Sequence, residues 1–313
     1  MQIKLDIIKN SKKFISLSLF LVILSLGIIF TRGLNYGIDF AGGNLFQIRF
    51  EKEVTLNEIN ENLNELTDEI EQLTPNSRKV QIADDGTVII RTQELNENEK
   101  AKVKEQLNKI GSYSLEKEDK VGASIGSDLK KSALYSLIIG SILIVIYITL
   151  RFEFTFSLGG ILSLLHDIII ATGFISLFQY EVDTPFIAAI LTILGYSIND
   201  TIVVYDRIRE NIHRKEKWDL AECMNTSINQ VMIRSLNTSL TTLFSVVALL
   251  IFGGDSLKTF IMTLLVGILT GTYSSVFIAT PIVYLLNKNK SNIDKMIEKE
   301  KKKEEEPVEK ILV

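Results

Sequence analysis

Long uncharged apolar runs, separated by strongly charged segments, constrain the fold of this chain more than any other feature. A helix needs about 20 apolar residues to cross the hydrocarbon core of a bilayer. Six spans are predicted, at residues 14–31, 133–150, 154–178, 186–206, 238–252 and 259–286. The fifth is short and can lengthen toward Ile233 if its polar residues face protein. We therefore expect an α-helical polytopic membrane protein with six transmembrane helices.

The distribution of lysine and arginine predicts how these helices are oriented. Basic residues are concentrated at the N-terminus, in the loop 207–234 and in the C-terminal tail, and six spans place all three on one side. Because short cytoplasmic loops carry an excess of Lys and Arg, that side is the cytoplasm. We expect residues 1–31 to form a cytoplasmic N-terminus and an uncleaved first helix, residues 132–287 the other five helices, and residues 288–313 a charged cytoplasmic tail.

Residues 32–131 have the pattern of a soluble domain outside the cytoplasm. "NLFQIRF" alternates as a strand does, and "KVQIA" and "TVIIRT" flank "DDG", which is a hairpin signal. A first helical segment has apolar residues at helical spacing from Leu56 to Leu73, and a second one, "NENEKAKVKEQLNKIG", ends at Gly111. With "YSLEK" as the last strand, the order βαββαβ predicts a small ferredoxin-like α+β domain.

Composition excludes several classes of site. A single cysteine, Cys223, permits no intrachain disulfide. The chain has two histidines, so a metal site is not expected, and no cofactor is expected either. No basic patch is interleaved with aromatic residues, so nucleic acid is not an expected partner.

The fourth span carries an acidic residue at membrane depth. Asp200 follows Asn199 and lies about 10 Å along the helix from Arg207, inside the apolar zone. An unpaired charge there costs about 2.5–3.5 kcal/mol, so the carboxylate must face a protein interior. A proton- or ion-linked role is favoured over the alternative, a structural hydrogen-bond acceptor that holds helices together.

Arg234, just before the fifth span, allows two interpretations. It is either a positive-inside anchor or the counter-ion of Asp200, since both residues belong to the cytoplasmic half of the bundle. The spacing of the two residues along the chain is compatible with either role.

A second polar pair lies near the middle of the third span. His166 and Asp167 stand in "SLLHDIII", and Gly159, Ser163 and Asp167 recur at every fourth position on a small-residue face. A His–Asp pair at this depth can relay protons, or it can hold helices together through hydrogen bonds. Both roles are compatible with the sequence.

The last span has small residues at every fourth position, namely Gly267, Gly271, Ser275 and Ala279. Such ladders let two helix backbones approach closely in membranes. We expect close packing of this helix, either within the bundle or against a partner. The ladder identifies no substrate.

Five motifs, in order and in a matching topology, resemble the SecF members of the SecD/SecF family of bacterial protein-export membrane proteins. They are "GIDFAGG" (37–43), which contains Gly37, Gly42 and Gly43, "VGASIGSDL" (121–129), "LLHD" (164–167), "GYSINDTIVVYDRIREN" (195–211) and "SLNTSLTTLFSVVALLIFGG" (235–254). The fourth motif distinguishes the SecF members from the SecD members. Two residues depart from the family pattern: Ala41 stands where Thr is common, and Ala123 stands where Pro is usual.

This resemblance implies a fold and a function. The fold is the six-helix half of the resistance-nodulation-division architecture, which forms a heterodimer with SecD. That complex associates with the SecYEG channel and YajC in the bacterial cytoplasmic (inner) membrane. The resemblance implies a subunit, and not an enzyme, that uses the proton gradient, or sodium in some bacteria, to promote late steps of preprotein translocation. The family's essential intramembrane carboxylate falls on Asp200 and its essential arginine on Arg234, whereas His166 and Asp167 match a motif without an assigned role.

Two other classes of protein fit less well. An efflux pump of the same superfamily carries both halves and large external domains in one chain, so only a half-transporter of that kind is an alternative. An intramembrane aspartyl protease needs a Gly-x-Gly-Asp motif, and Asp200 is preceded by "SIN" instead.

Overall fold

The computed structural model describes residues 5–83, 85–214, 219–254 and 257–287, and the predicted tail, 288–313, lies outside them. Within the described residues, six helices are long and apolar enough to cross a membrane: Ser11–Arg32, Ala123–Arg151, Phe154–Leu177, Thr184–Ile212, Leu220–Phe252 and Lys258–Asn287. The number and the order of the predicted spans are therefore confirmed.

The chain divides into two units. The helical unit comprises Met1–Asn35 and Ser136–Val313, and the α+β unit comprises Tyr36–Tyr135. In chain order the elements are α1 (Ser11–Arg32), β1 (Asn35–Tyr36), α2 (Ile38–Ala41), β2 (Gly43–Phe50), α3 (Leu56–Asn64), β3 (Arg78–Ile82), β4 (Val88–Thr92), α4 (Glu97–Ile110), β5 (Tyr113–Val121), α5 (Ala123–Arg151), α6 (Phe154–Leu177), β6 (Glu181–Val182), α7 (Thr184–Arg214), α8 (Leu220–Phe252), α9 (Lys258–Ser274) and α10 (Thr280–Asn287). A 3-10 turn, Glu71–Leu73, precedes β3, and a π-helical turn, Ser275–Ala279, joins α9 to α10.

Helix α7 is the hub of the helical unit, because it packs against α6, α8 and α9. Apolar residues recur along it at helical spacing and are buried, among them Ile190, Ile193, Leu194, Ile198 and Val204. The fully buried Tyr205 packs edge-on against Phe152 and Phe156, with ring centroids 5.5 and 4.9 Å apart. Aromatic pairs of this geometry contribute about 0.5–1.5 kcal/mol beyond the area that they bury. They fix α7 against the beginning of α6.

The predicted loop 207–234 consists mostly of helix. Helix α7 continues to Arg214, and α8 begins at Leu220 and runs without a break to Phe252. Two physical reasons account for the length of α8. No Gly or Pro interrupts it before Gly253. Its first turns also bury one apolar face in the core of the helical unit, formed by Leu220, Met224, Ile228 and Val231.

Four strands of the α+β unit form an antiparallel sheet in the order β3-β4-β2-β5. Strand β4 separates β2 from β3, and β2 separates β4 from β5, which is the split arrangement of a ferredoxin-like fold. Alternate residues of β2, namely Phe46, Ile48 and Phe50, lie in one apolar core with residues of α3 and α4. The predicted ferredoxin-like domain, including the alternation of "NLFQIRF", is confirmed.

Helix α3 ends at Asn64, so the prediction of one helix as far as Leu73 is wrong. Leu66 is buried all the same, in the turns that follow the helix. The Arg78 guanidinium donates hydrogen bonds to the Asn60 carbonyl (2.8 Å), to the Asn64 side-chain oxygen (2.7 Å) and to the Leu73 carbonyl. This buried cation joins the end of α3 to the following turns and fixes the point at which the helix ends.

The segment before α1 lies against α8. Asn229 accepts a hydrogen bond from the Leu5 N–H group and donates one to the Leu5 carbonyl, both at 2.9 Å. Asn225 accepts from the N–H groups of Ile7 (2.9 Å) and Ile8 (3.0 Å), and both isoleucines are buried. Because the two asparagines lie one helical turn apart, they hold the segment in a single direction along α8.

Candidate functional site

Asp200 is buried in the helical unit, where α7 meets α8. The Ser235 hydroxyl of α8 donates a hydrogen bond to Oδ1 of its carboxylate (2.5 Å). The other oxygen, Oδ2, is buried and accepts no hydrogen bond from the described residues. Buried polar atoms almost always have a partner. A carboxylate with one unsatisfied buried oxygen is an arrangement that a bound proton or cation can complete.

Arg234 does not form an ion pair with Asp200. It precedes Ser235 on α8, it is exposed, and no carboxylate of the described residues lies within 4.0 Å of its guanidinium. Its charge attracts the Asp200 carboxylate from beyond contact distance. The side chain borders a cleft of about 530 Å³ that Asp206 and Glu210 also line. The predicted counter-ion is therefore a neighbour of Asp200 and not its hydrogen-bond partner.

Asp167 is fully buried and joins three helices. One carboxylate oxygen lies 2.9 Å from Nδ1 of His166, its neighbour on α6. The other accepts hydrogen bonds from Ser197 of α7 (2.6 Å) and from Ser274 of α9 (2.7 Å). Hydrogen bonds to charged groups contribute about 1.5–3 kcal/mol each. This cluster is therefore a strong contact between α6, α7 and α9.

His166 is buried beside Asp167, and its second ring nitrogen, Nε2, has no hydrogen-bond partner among the residues that the structure describes. Its ring stacks on that of Tyr273, with centroids 6.2 Å apart. The Tyr273 hydroxyl donates in turn to the Phe14 carbonyl of α1 (3.2 Å). The geometry supplies both predicted roles of the His166–Asp167 pair: hydrogen bonds for a structural role, and an unoccupied imidazole nitrogen for a proton relay.

The π-helical turn that begins at Ser275 lies next to this cluster. Ser275 Oγ is 2.9 Å from Thr201 Oγ, and it donates to the Ser197 carbonyl (3.2 Å). Turns of this kind are frequent at functional sites. Because Thr201 directly follows Asp200, these hydrogen bonds fix the turn of α7 on which Asp200 lies.

Three serines contact the two buried carboxylates and were not predicted as site residues: Ser197, Ser235 and Ser274. The sequence signal for them is weak, because a hydroxyl within a helix usually bonds to the carbonyl of the preceding turn. Their common feature is a hydroxyl on an otherwise apolar, buried helix face.

Glycines of the predicted ladder bring α9 against α7. A Cβ atom at Gly267 would lie 2.1 Å from Cδ1 of Ile193, and one at Gly271 would lie 2.9 Å from Cβ of Ser197. Ser275, the third residue of the ladder, makes the hydrogen bonds to α7 described above. Of the two alternatives that the sequence allows, the structure shows packing within the bundle.

A small and polar face of α7 is exposed. Ala188, Thr192, Gly195 and Asn199 recur on it at helical spacing, and all four are exposed. No atom lies within 4 Å of a Cβ built at Gly195. Helix α8 also exposes polar side chains beside its apolar half, namely Asn237, Thr238 and Thr241. Polar groups at membrane depth face a protein interior or a water-filled cavity.

The predicted motif glycines lie in the α+β unit. Gly37 is the N-cap residue of α2, and Gly42 and Gly43 follow α2 with φ angles of 74° and 118°. Glycine adopts such angles without the strain that a Cβ atom causes. The two residues that depart from the family pattern, Ala41 and Ala123, are exposed at the end of α2 and the start of α5.

The two buried aspartates do not form a catalytic pair. Asp167 and Asp200 accept hydrogen bonds from different side chains. The two carboxylates of an aspartyl protease share one proton at close range, and no such contact joins these two. Among the described residues, no group of three or more His, Cys, Asp or Glu side chains is placed to hold a metal ion. A buried carboxylate with one unpartnered oxygen, such as that of Asp200, can take up and release a proton or a small cation.

Two family models match the chain. The model described as "Protein export membrane protein SecD/SecF, C-terminal" matches residues 101–289, and the "SecD/SecF GG Motif" matches residues 27–54. The protein translocase subunit SecF of Sebaldella termitidis is 52% identical over 288 residues, which cover 91% of this chain and 93% of the relative. That of Calditerrivibrio nitroreducens is 41% identical over 286 residues, or 90% of this chain and 94% of the relative.

Solved structures agree with these matches. The crystal structure of SecDF from Thermus thermophilus, described as a translocon-associated membrane protein, superposes with a TM-score of 0.84 at 33% identity. A structure of SecDF in a super-membrane-facing form superposes with a TM-score of 0.68 at 32% identity. The matches cover 91% and 94% of this chain but only 39% and 40% of those two chains. This chain therefore corresponds to about two fifths of their length.

Proposed function

Because the chain belongs to the SecD/SecF family of protein-export membrane proteins, we propose that it uses an ion gradient to promote late steps of preprotein translocation across the bacterial cytoplasmic (inner) membrane. The proposed coupling ion is the proton, with sodium as the alternative. One observation carries the proposal: Asp200 is a buried carboxylate, at membrane depth, with one oxygen that has no partner among the described residues.

Asp200 binds and releases the ion in this mechanism. The ionised carboxylate accepts the Ser235 hydrogen bond and is attracted by the charge of Arg234. A proton that arrives from outside the cytoplasm neutralises the carboxylate, and the attraction to Arg234 is then lost. Release of the proton to the cytoplasm restores the negative charge of Asp200 and its attraction to Arg234. Because Asp200 lies on α7 and its two neighbours on α8, each step changes the contact between these two helices.

The energy of one ion is sufficient for such a change. Moving one elementary charge across the membrane is worth about 2.3 kcal/mol per 100 mV, which biases a two-state equilibrium by a factor of tens. A hydrogen bond to a charged group contributes about 1.5–3 kcal/mol. One ion per cycle can therefore offset the loss of one such contact between α7 and α8.

The exposed polar face of α7 and α8 supports a SecD-type helical bundle as the partner. Thr192, Asn199 and Asn237 would be in contact with lipid if nothing covered them. The solved SecDF chains, of which this chain matches about two fifths, contain the additional length that such a partner would supply. We therefore place SecD, as a heterodimer, on this face, and the SecYEG channel, YajC and the translocating preprotein among the partners. Both termini are placed in the cytoplasm, on the basis of their lysines and arginines.

Replacing Asp200 with Asn tests the role of the carboxylate. The full chain is reconstituted in vesicles with SecD and the SecYEG channel, and preprotein export is measured with and without an imposed gradient. Asp200→Asn should lose the stimulation by the gradient and keep the export seen without it. Asp206→Asn is the matched control, because Asp206 is an acid on the same helix that pairs with Arg151 (3.2 Å). Undiminished stimulation of Asp200→Asn would refute the proposal.

The same vesicles identify the ion. A pH gradient in sodium-free buffer and a sodium gradient at equal pH are imposed separately. Stimulation by the first alone assigns the proton, and stimulation by the second alone assigns sodium. Ser235→Ala, which removes the hydrogen bond to Oδ1 of Asp200, should reduce the stimulation without abolishing it.

A further inference from the structure

The turn that contains Gly42 and Gly43 is packed backbone against backbone. A Cβ atom at Gly43 would lie 2.1 Å from the carbonyl oxygen of Thr92, the last residue of β4. A Cβ atom at Gly42 would lie 3.1 Å from Cα of Ala123, the first residue of α5. Both glycines also have φ angles at which a side chain is strained. Two independent constraints therefore require glycine at each position.

The α5 side of this contact is a glycine as well. Gly126 is buried, whereas Ala123 and Ile125 beside it are exposed. A Cβ atom at Gly126 would lie 3.1 Å from the backbone nitrogen of Gly42 and 3.4 Å from the carbonyl oxygen of Asp39. These are backbone atoms, so a change of side-chain rotamer cannot relieve the close contact. The first turns of α5 thus rest directly on the backbone of α2 and Gly42.

This geometry opposes the usual interpretation of a glycine pair as a hinge. A hinge between β5 and α5 would lie at Gly122, the single residue that joins them. Because α2 and Gly42 lie against the first turns of α5, they block a bend of α5 toward them. They are themselves fixed, because the Gly42 N–H group donates to the Ile38 carbonyl (2.8 Å) and Gly43 pairs with Val121 in the sheet.

We propose that Gly42, Gly43 and Gly126 form a rigid clamp, within the α+β unit, between its four-stranded sheet and the start of α5. We call these three residues the glycine clamp. Helix α5 continues without a break from Ala123 to Arg151 and is one of the six candidate membrane spans. A movement of the sheet is consequently passed to the first turns of α5, and none of it is absorbed at Gly122. The glycine clamp consists of positioning residues, and none of them binds the coupling ion.

Distance measurements between two spin labels test the rigidity of this joint. The labels are attached at Glu61→Cys on α3 and Lys131→Cys on α5, which are both exposed. The native cysteine is removed by Cys223→Ala. The full chain is reconstituted with SecD in vesicles, and the distance distribution is recorded with and without an imposed ion gradient. We expect one narrow distribution that the gradient does not change. A second population, or a shift with the gradient, would show a hinge and overturn the proposal.

Substitutions in the glycine clamp provide the second arm. Gly126→Leu should broaden the distribution and cause a loss of gradient-stimulated export. Gly86→Ala is a control in the same unit, because no atom lies within 4 Å of a Cβ added at Gly86; its positive φ angle (85°), which Gly126 does not share, makes it a test of backbone strain without a close contact. It should leave both measurements unchanged.

Labels within the α+β unit, at Glu61→Cys and Glu105→Cys, report whether this unit is still folded in Gly126→Leu. If that variant unfolds the unit, the smaller change Gly126→Ala, which introduces the 3.1 Å contact alone, takes its place. A narrow, unshifted distribution with full export in a folded Gly126→Leu or Gly126→Ala variant would contradict the clamp. The spin-label result does not depend on Asp200, so it separates this proposal from the proposed ion coupling.

Discussion

Gly271→Ala and Gly195→Ala form a matched pair that tests how α9 is held against α7. Both glycines lie in long membrane helices, and both changes add one methyl group. A Cβ atom at Gly271 would lie 2.9 Å from Cβ of Ser197, 3.2 Å from its Oγ and 3.4 Å from its Cα. A Cβ atom at Gly195 would have no atom within 4 Å. The two substitutions therefore differ in the space available and not in the chemistry of the change.

The expected difference in stability follows from two opposing effects. Replacing Gly by Ala within a helix stabilises it by about 0.8–1.0 kcal/mol. Adding a methyl group to a well-packed contact costs about 1–3 kcal/mol. Gly195→Ala should therefore raise the free energy of unfolding by up to about 1 kcal/mol, whereas Gly271→Ala should lower it relative to that variant by about 1–3 kcal/mol. In Gly271→Ala, displacement of Ser197 also lengthens its 2.6 Å hydrogen bond to Asp167, which lowers the free energy of unfolding further.

Unfolding of the full chain in mixed micelles with increasing denaturing detergent gives the two free energies. Equal stabilities of the two variants, or a less stable Gly195→Ala, would refute the packing argument. Addition of SecD allows a second measurement, the stability of the complex that each variant forms with it. If the partner covers the exposed face of α7, the methyl group at Gly195 meets that partner, and Gly195→Ala should weaken the complex while Gly271→Ala does not.

Three smaller predictions follow from local geometry. Asn229→Ala removes two hydrogen bonds to the backbone of Leu5, each worth about 0.5–1.5 kcal/mol. Hydrogen exchange of the Leu5 N–H group should accelerate roughly tenfold or more. In the α+β unit, the Thr87 backbone N–H group and the Arg49 guanidinium lower the pKa of Asp85 from 3.8 to about 2. Because this folded pKa lies below the ordinary value, the stabilisation is present above about pH 4 and is lost as the pH falls toward 2; Asp85→Asn should remove this part of the pH dependence of unfolding. Ala123→Pro, at the first position of α5, should raise the free energy of unfolding by about 0.4–1 kcal/mol in a detergent unfolding experiment.

Secondary-structure elements that have a local hydrophobic pattern could be predicted from the sequence. Each membrane span is an apolar run, so the number of spans needs no tertiary information. The ends of the helices could not be predicted in this way. Helix α5 begins at Ala123 and not at residue 133, because "SIGSDLKKS" has no hydrophobic signal although nothing in it stops a helix. Helix α3 ends at Asn64, because Arg78, fourteen residues later in the chain, binds the residues at its end.

The glycine motif illustrates a different limit. Its glycines are visible in the sequence, and their recurrence in a family motif indicates that they matter. The reason for them is a contact with Thr92 and Ala123, which are distant in the chain and carry no signal of their own. Tertiary contacts of the backbone are therefore what sequence reasoning lacks at this position.

The two buried aspartates show the same limit at the candidate site, and the structure separates them by their partners. Asp167 has three polar neighbours, and both of its oxygens have hydrogen-bond partners. Asp200 has one donor, Ser235, and one oxygen without a partner among the described residues, so a proton or a cation completes its environment. Both residues follow a polar neighbour within an apolar span. The sequence favours an ion-linked role for Asp200 and leaves both roles open for Asp167, but it does not show the partners that separate them. The serines account for the difference: Ser197 and Ser274 bond to Asp167 and hold α6, α7 and α9 together. The charge of Asp200 can therefore change, and with it the contact between α7 and α8, while those three helices stay packed.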